Sequence, residues 1–436
     1  MGQKQWASRL GFLLAAAGSA IGLGNLWKFP YLMGRNGGFT FLIAYLIFVL
    51  ILGIPVMMLE MSLGRYTGRD PIQSYKIVHP KAKIVGILGV LAPFIILSYY
   101  SVIGGWILKY IVSYATTFNA PADFNAFIAE PQTVIWHLVF MVITIAICFK
   151  GVSGIEKASK FMMPALFILL IIIMIRSVTL EGSSVGLRFI FEPKAGFTLS
   201  SINAALGQVF YSLSLCMGIT ITYGSYLSKK ENIQKSCMIV AGMDTALAIG
   251  AIFPAVFVFG LEPGQGPGLI FGTLPKVFES MIGGPIFAIA FFILVFFAAL
   301  TSAIALLEVV AASAIDTLGW TRKKSVLVLG ICIFILGIPS ALSFGVLGDV
   351  TILNYSVFDF IGMITDNILL PVGGILMCYF VAWKFDIMKL ADEIEQGSKG
   401  FKIKKLWVNC IKYVTPILLI IVTLSGFVSI YTTIAG

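Results

Sequence analysis

Apolar segments of about 20 residues or more recur from one end of this chain to the other, and no other feature constrains its fold as strongly. A run such as "FTFLIAYLIFVLILGIPVMMLE", residues 39 to 60, is long enough as a helix to cross a hydrocarbon core. Inside lipid every backbone N–H and C=O must find a partner within the protein, so runs of this length read as helices. Only 11% of the 436 residues are charged, too few to clothe a water-soluble surface. The expected architecture is all-α and polytopic. Spans are expected near 9–34, 39–66, 84–116, 132–150, 158–178, 199–228, 235–262, 286–316, 323–341, 351–383 and 406–433.

In a water-soluble chain a net charge of +10 would point to nucleic acid, but here the basic residues gather in alternate connections. Lys4 and Arg9 precede the first span, Arg65, Arg69 and Lys76 follow the second, and Lys229, Lys230 and Lys235 follow the sixth. The positive-inside bias therefore places the N-terminus in the cytoplasm and, after about eleven spans, the C-terminus outside. The setting is a plasma membrane or a bacterial inner membrane, with the bilayer as partner and neither nucleic acid nor an obligate protein partner indicated. No signal peptide is evident. The six cysteines lie in or beside apolar runs without metal-ligand spacing and read as small hydrophobes. Nothing resembles a nucleophile, phosphate-loop or zinc motif, so an enzyme is disfavoured.

Two spans are interrupted at mid-membrane, the first by "GSAIGLGN" and the sixth by "YSLSLCMG". Spans broken five apart are the mark of a 5+5 inverted repeat whose halves each donate a discontinuous helix to a central site. The halves are expected at 1–180 and 195–385, with an additional span at 400–436. Freed backbone groups cost several kcal/mol each if unpaired, so the breaks face protein, water or a ligand. Half-helix N-termini suit a carboxylate, and unwound carbonyls suit a small cation. A glycine packing seam would explain Gly18, Gly22 and Gly24 but not Asn25, Ser212 or Ser214.

Other polar residues sit inside apolar runs. Asp244 is an intramembrane carboxylate that needs a cation or proton, or else reaches the cytoplasmic edge. Thr301 and Ser302, with the Ala298 carbonyl one turn earlier, offer hard oxygens to a hard cation, although such hydroxyls commonly bond back to their own helix. Tyr99 and Tyr100 lie deep in the third span, where a phenol can meet a substrate carboxylate or simply pack. Lys28 with Asp359 outside, and Asp316 with Tyr226 inside, can close the ends of the path or remain solvated. Residues 262–284 are too polar to span and form either a lid with short helices or a connector.

The stretches "WASRLGFLLAAAGSAIGLGNLWKFPY", "NGGFTFLIAYLIFVLILGIPVMMLEMSLGR", "GQVFYSLSLCMGITITYGSYL" and "FFAALTSAIALLE" together resemble the neurotransmitter:sodium symporters, in particular their bacterial amino-acid transporters. The resemblance covers nearly the whole chain. It implies two sodium sites, one from the Ala20 carbonyl, Asn25, Ser212, Asp244 and the substrate carboxylate, the other from the carbonyls of Gly18, Ile21 and Ala298 with Thr301 and Ser302. It further implies substrate contacts from Ala20, Gly22, Leu23, Ile96, Tyr100, Tyr211, Ser212, Ser214, Met217, Ser302 and Leu306. It supports Lys28 with Asp359 as the outer gate, and Gly154 with Pro164 as the pair that unwinds a helix toward the second sodium.

Within that resemblance Gly22 stands where monoamine members carry an aspartate, which implies an L-amino acid substrate. Met217, a flexible thioether, implies a hydrophobic or aromatic one. Asp244 stands where animal members carry an asparagine and bind chloride, which implies chloride independence. Lys28 replaces the usual arginine, Gln3 replaces the inner-gate arginine, the segment between Asp244 and Pro254 is short, and a twelfth span is lacking. The sequence alone leaves open an amino-acid sensor of transporter fold, or a carrier coupled to protons through Asp244.

Overall fold

The computed structural model describes residues 5–121, 123–180, 183–192, 198–255, 267–279 and 281–435. The chain is an all-α bundle. In order, it contains α1 (Arg9–Ala20), α2 (Gly24–Arg35), α3 (Phe39–Thr67), the short α4 (Pro71–Val78), α5 (Pro80–Thr117), α6 (Thr133–Cys148) and α7 (Val152–Val178). The second half contains α8 (Leu199–Ser212), α9 (Ile219–Ser225), α10 (Ile233–Gly250), α11 (Gly284–Leu318), α12 (Arg322–Leu342), α13 (Val357–Lys384), α14 (Ile387–Glu395) and α15 (Lys404–Ala435). A two-residue β-hairpin, Thr351–Ile352 with Tyr355–Ser356, precedes α13.

Among the described residues seven helices are long and apolar enough to span, and an eighth span is made by α1 and α2, bent by 54° at their break. The other three expected spans correspond to α6, to the interrupted pair α8 and α9, and to α10, each short or broken. Burial sorts these helices into layers. The most apolar window of α11 is 72% buried, whereas that of α15 is only 11% buried, so α11 runs through the middle and α15 lines the periphery. Exposed Ile168, Ile175, Leu424 and Val428 then face the lipid tails rather than mark a docking surface.

The local chemistry explains the breaks. Ser8 caps α1, its Oγ accepting the Gly11 N–H at 3.0 Å. Helix α1 stops at Ile21, where ψ turns extended, and α2 restarts after Gly22 with Pro30 in its second turn. Between α8 and α9, Ser214, Cys216 and Gly218 all take positive φ, so the chain leaves the helix by left-handed steps. The two breaks meet at the centre, where the Ser214 hydroxyl donates to the Ser19 carbonyl at 2.9 Å. The segment expected as a lid or a connector is partly described, and Leu269–Thr273 and Leu274–Glu279 are short helices. Residues 256–266 and 280 of that region lie outside the described residues.

Candidate functional site

All eleven residues expected at the substrate site line one cavity, joined there by Ser19, Gly24, Asn25 and Ile219. The cavity lies between the two breaks. Its walls are apolar at Ile96, Met217, Ile219 and Leu306, with Tyr100 and Tyr211 at its sides. The Tyr100 hydroxyl is 3.4 Å from the Leu23 N–H, at the positive end of α2, where an anionic group is favoured. Gly22 fits closely: a Cβ would lie 2.9 Å from Ser302 Oγ and 3.2 Å from Tyr100 OH, so a larger residue requires one of these hydroxyls to move.

Beside the cavity, Asp244 is fully buried and surrounded by donors. Its Oδ1 accepts Asn25 Nδ2 at 2.7 Å, and its Oδ2 accepts Ser212 Oγ at 2.8 Å and Tyr45 OH at 3.1 Å. Asn25 in turn reaches Ser212 Oγ at 3.1 Å and receives the Gly22 N–H at 3.3 Å. One carboxylate, one amide and two hydroxyls thus converge at the first break.

A second oxygen cluster lies across the end of α1. Ser302 Oγ is 3.2 Å from the Ile21 carbonyl and 3.4 Å from those of Gly18 and Ser19. Thr301 Oγ1 donates to Phe297 and Ala298 carbonyls at 2.9 and 3.1 Å, and Gly18 abuts it so closely that a Cβ would sit 3.0 Å from Thr301 Cβ. The hydroxyl proton goes to the helix, which leaves its lone pairs for a cation. Among the described residues no group of three His, Cys, Asp or Glu side chains gathers to hold a metal. The donors are carbonyls, hydroxyls and a single carboxylate, a set suited to a hard monovalent cation rather than to zinc or iron.

The residues expected at the gates have the following partners in this structure. Lys28 approaches Asp366, with Nζ 3.8 Å from Oδ2, and lies over the Tyr211 ring at 4.4 Å. Asp359 instead exchanges hydrogen bonds with Ser356 at the start of α13. It sits seven residues before Asp366 on α13, about two turns away. On the inner side Tyr226 donates to Glu308 Oε1 at 2.7 Å, with Asp316 among the charges near it. Arg322 grips the same carboxylate, with Nη1 2.9 Å from Oε1 and Nη2 against Oε2, and also donates to the Cys148 carbonyl. Asp316 Oδ2 accepts the Asp70 N–H at 3.0 Å. Trp6 covers this end, donating to the Tyr223 carbonyl at 3.1 Å and meeting Tyr223 edge-on. Gln3 and Lys4 lie outside the described residues, and α7 is wound throughout, across both Gly154 and Pro164.

Several residues of the site are absent from the sequence-based set: Glu60, Tyr45, Glu308, Arg322, Asp366 and Gln208. Glu60 is fully buried, and its carboxylate receives the Cys216 N–H at 3.1 Å and the Thr220 hydroxyl, so it satisfies the backbone freed at the second break. Gln208 donates to the Gly24 carbonyl at 3.3 Å. An acid inside an apolar run is itself a functional signal, and it marks both Glu60 and Glu308.

A family model described as the sodium:neurotransmitter symporter family matches residues 3–123 and 122–434. The chain belongs to that family. It is 41% identical over 437 residues, 97% of each chain, to an uncharacterized sodium-dependent transporter, YhdH, of Bacillus subtilis. An uncharacterized sodium-dependent transporter of Haemophilus influenzae is 35% identical over 97% of this chain and 98% of its own. Among solved structures, that of MhsT in complex with L-phenylalanine superposes with a TM-score of 0.89 at 45% identity, covering 98% of this chain and 100% of the other. As a family member the chain is a sodium-dependent membrane transporter and not an enzyme.

Proposed function

We propose that this symporter imports a hydrophobic or aromatic L-amino acid together with two sodium ions, without a chloride requirement. The observation that carries the reading is the cavity at Gly22. A bare backbone faces the N-terminal end of α2 and the Tyr100 hydroxyl, leaving room for a carboxylate beside the Asn25, Ser212 and Asp244 cluster. The apolar wall at Ile96, Met217, Ile219 and Leu306 then receives the side chain, and Met217 re-packs around larger rings. L-phenylalanine, the ligand named for MhsT, is a substrate of this kind.

The first sodium is taken by the Ala20 carbonyl, Asn25, Ser212, Asp244 and the substrate carboxylate, so that ion and substrate share a ligand. The second is taken by the carbonyls of Gly18, Ile21 and Ala298 with Thr301 and Ser302. Asp244 supplies the negative charge that would otherwise come from chloride. Transport follows alternating access, with the first, second, sixth and seventh spans rocking against the rest. The inverted repeats occupy 1–180 and 195–385, followed by the span at 400–436, with the N-terminus cytoplasmic and the C-terminus outside. Lys28, Asp366 and Tyr211 cover the outer path. Trp6 and the Tyr226, Glu308 and Arg322 cluster cover the inner one. Each inward sodium charge gains about 2.3 kcal/mol per 100 mV, enough in pairs to drive accumulation over about three decades.

The test is uptake of labelled phenylalanine, tyrosine, tryptophan and leucine into proteoliposomes, with an inward sodium gradient against a potassium control at fixed pH. Sodium-driven accumulation is expected. Binding without accumulation would indicate a sensor, and accumulation that follows pH but not sodium would indicate proton coupling through Asp244.

A further inference from the structure

We propose that the cytoplasmic ends of α13 and α15 together bind one anionic phospholipid, its phosphate held by Lys384 and Lys412. The proposal goes beyond transport and uses the topology above only to name the leaflet.

Each helix passes through a widened turn here, Phe380–Lys384 in α13 and Cys410–Val414 in α15, and the two turns pack against each other. Widened turns are rare and gather at functional sites. Each presents an aromatic ring and a lysine at adjacent positions, Trp383 with Lys384 and Tyr413 with Lys412. Helix α15 is pinned to α3, where Trp407 Nε1 donates to the Pro55 carbonyl at 3.0 Å and the Cys410 thiol to that of Ile51 at 2.9 Å. Trp383 and Tyr413 remain exposed, edge-on to one another with ring centroids 5.6 Å apart.

The two lysines lack what a neighbour has. Lys404, at the start of α15, pairs with Asp392 and Glu395 of α14. Among the described residues no carboxylate lies within ion-pair reach of Lys384 or Lys412. Their ammonium groups lie over ring faces instead, Lys412 5.4 Å from the Trp383 centroid and Lys384 5.5 Å from that of Tyr379. A ring face attracts a cation but does not neutralise it.

Both lysines stand where the chain meets the hydrocarbon. Helix α13 carries no charge between Asp366 and Lys384, and α15 carries none after Lys412. Charges this close to lipid tails are held by a counter-charge or a headgroup. A soluble anion would make no use of the exposed aromatic pair, or of the exposed Val414 and Ile417 beside Tyr413. An anionic phospholipid uses all of them. Its phosphate meets both ammonium groups, Trp383 and Tyr413 sit at headgroup level, and an acyl chain lies along α15.

The test is native mass spectrometry of the full-length protein in detergent, titrated with phosphatidylglycerol or with phosphatidylcholine. The parent should bind one phosphatidylglycerol about 30-fold more tightly, since each lysine near a headgroup contributes about fivefold. Lys384→Gln with Lys412→Gln should lose that preference, and Lys384→Arg with Lys412→Arg should keep it. Lys150→Gln with Lys157→Gln removes the same charge at the start of α7 and should bind like the parent. Equal loss in the two glutamine pairs would reduce the effect to net charge and overturn the site. So would equal affinity of the parent for both lipids, which needs no variant, or displacement of the lipid by inorganic phosphate. All are read in detergent, so a reversed topology would change the leaflet and not the outcome.

Discussion

Replacing Gly22 by alanine tests the substrate class at a single atom. The new Cβ would lie 2.9 Å from Ser302 Oγ and 3.2 Å from Tyr100 OH, so at least one hydroxyl must move. Ser302 Oγ is held 3.2 Å from the Ile21 carbonyl, and turning it away removes an oxygen from the cluster proposed for the second sodium. Moving Tyr100 instead breaks its 3.4 Å contact with the Leu23 N–H and withdraws the donor proposed for the carboxylate. A hydrogen bond to a charged group contributes about 1.5–3 kcal/mol. At about 1.4 kcal/mol per decade, the variant should bind amino acid about 10- to 150-fold more weakly. Gly242→Ala is the control, since a Cβ there meets nothing within 4 Å. Equilibrium binding of labelled phenylalanine in detergent, across a range of sodium, reads the effect. Binding by Gly22→Ala within twofold of the parent at every sodium concentration would refute the assignment of this space to a carboxylate.

Other outcomes follow from the same geometry. Exchanging gluconate for chloride should leave uptake unchanged in the parent, whereas Asp244→Asn should lose at least about tenfold in gluconate and recover part of it in chloride, as read by initial rates. Because the Lys28 and Asp366 pair is partly exposed and contributes about 1 kcal/mol or less, Asp366→Asn should speed substrate release by about fivefold at most, and Asp359→Asn should not. Asp70, between α3 and α4 and outside the spans, has its carboxyl pushed up from 3.8 to about 6, chiefly by burial and further by the nearby Asp316 charge. A raised carboxyl pKa favours the folded state most below pH 3.8, and that contribution is lost as pH rises through about 6. Asp70→Asn should therefore raise thermal stability at pH 7.5, by at most about 3 kcal/mol, and give no gain near pH 4, as read by unfolding in detergent.

The two breaks that frame the cavity were legible in the sequence because each is a short contiguous stretch, whereas Ile96, Tyr100, Ser302 and Leu306 were expected at it only through the family resemblance. Gly18 to Asn25 and Tyr211 to Met217 each fix their own backbone, and small or polar residues at mid-span already say that the helix breaks. The gates depended on something a sequence does not carry, the axial register between helices far apart in the chain. Asp359 and Asp366 are two turns apart on α13, and a widened turn at Thr365–Leu369 alters the register between them, so only the packing selects Asp366 for Lys28. Arg322 reaches Glu308 because Gly319, at a φ of 68°, ends α11 and turns the chain back toward it. The buried acids share a logic that pairing by charge alone does not reveal. Glu60 receives the Cys216 N–H and the Thr220 hydroxyl at the second break, and Asp244 receives Asn25, Ser212 and Tyr45 at the first. Glu156 receives Ala7 and Ser8 where α1 begins. Each carboxylate lies where a helix starts or breaks and polar donors need an acceptor away from water. In this fold acids inside apolar runs therefore mark the helix ends that must be held, and those ends are the parts that the alternating access proposed above has to move.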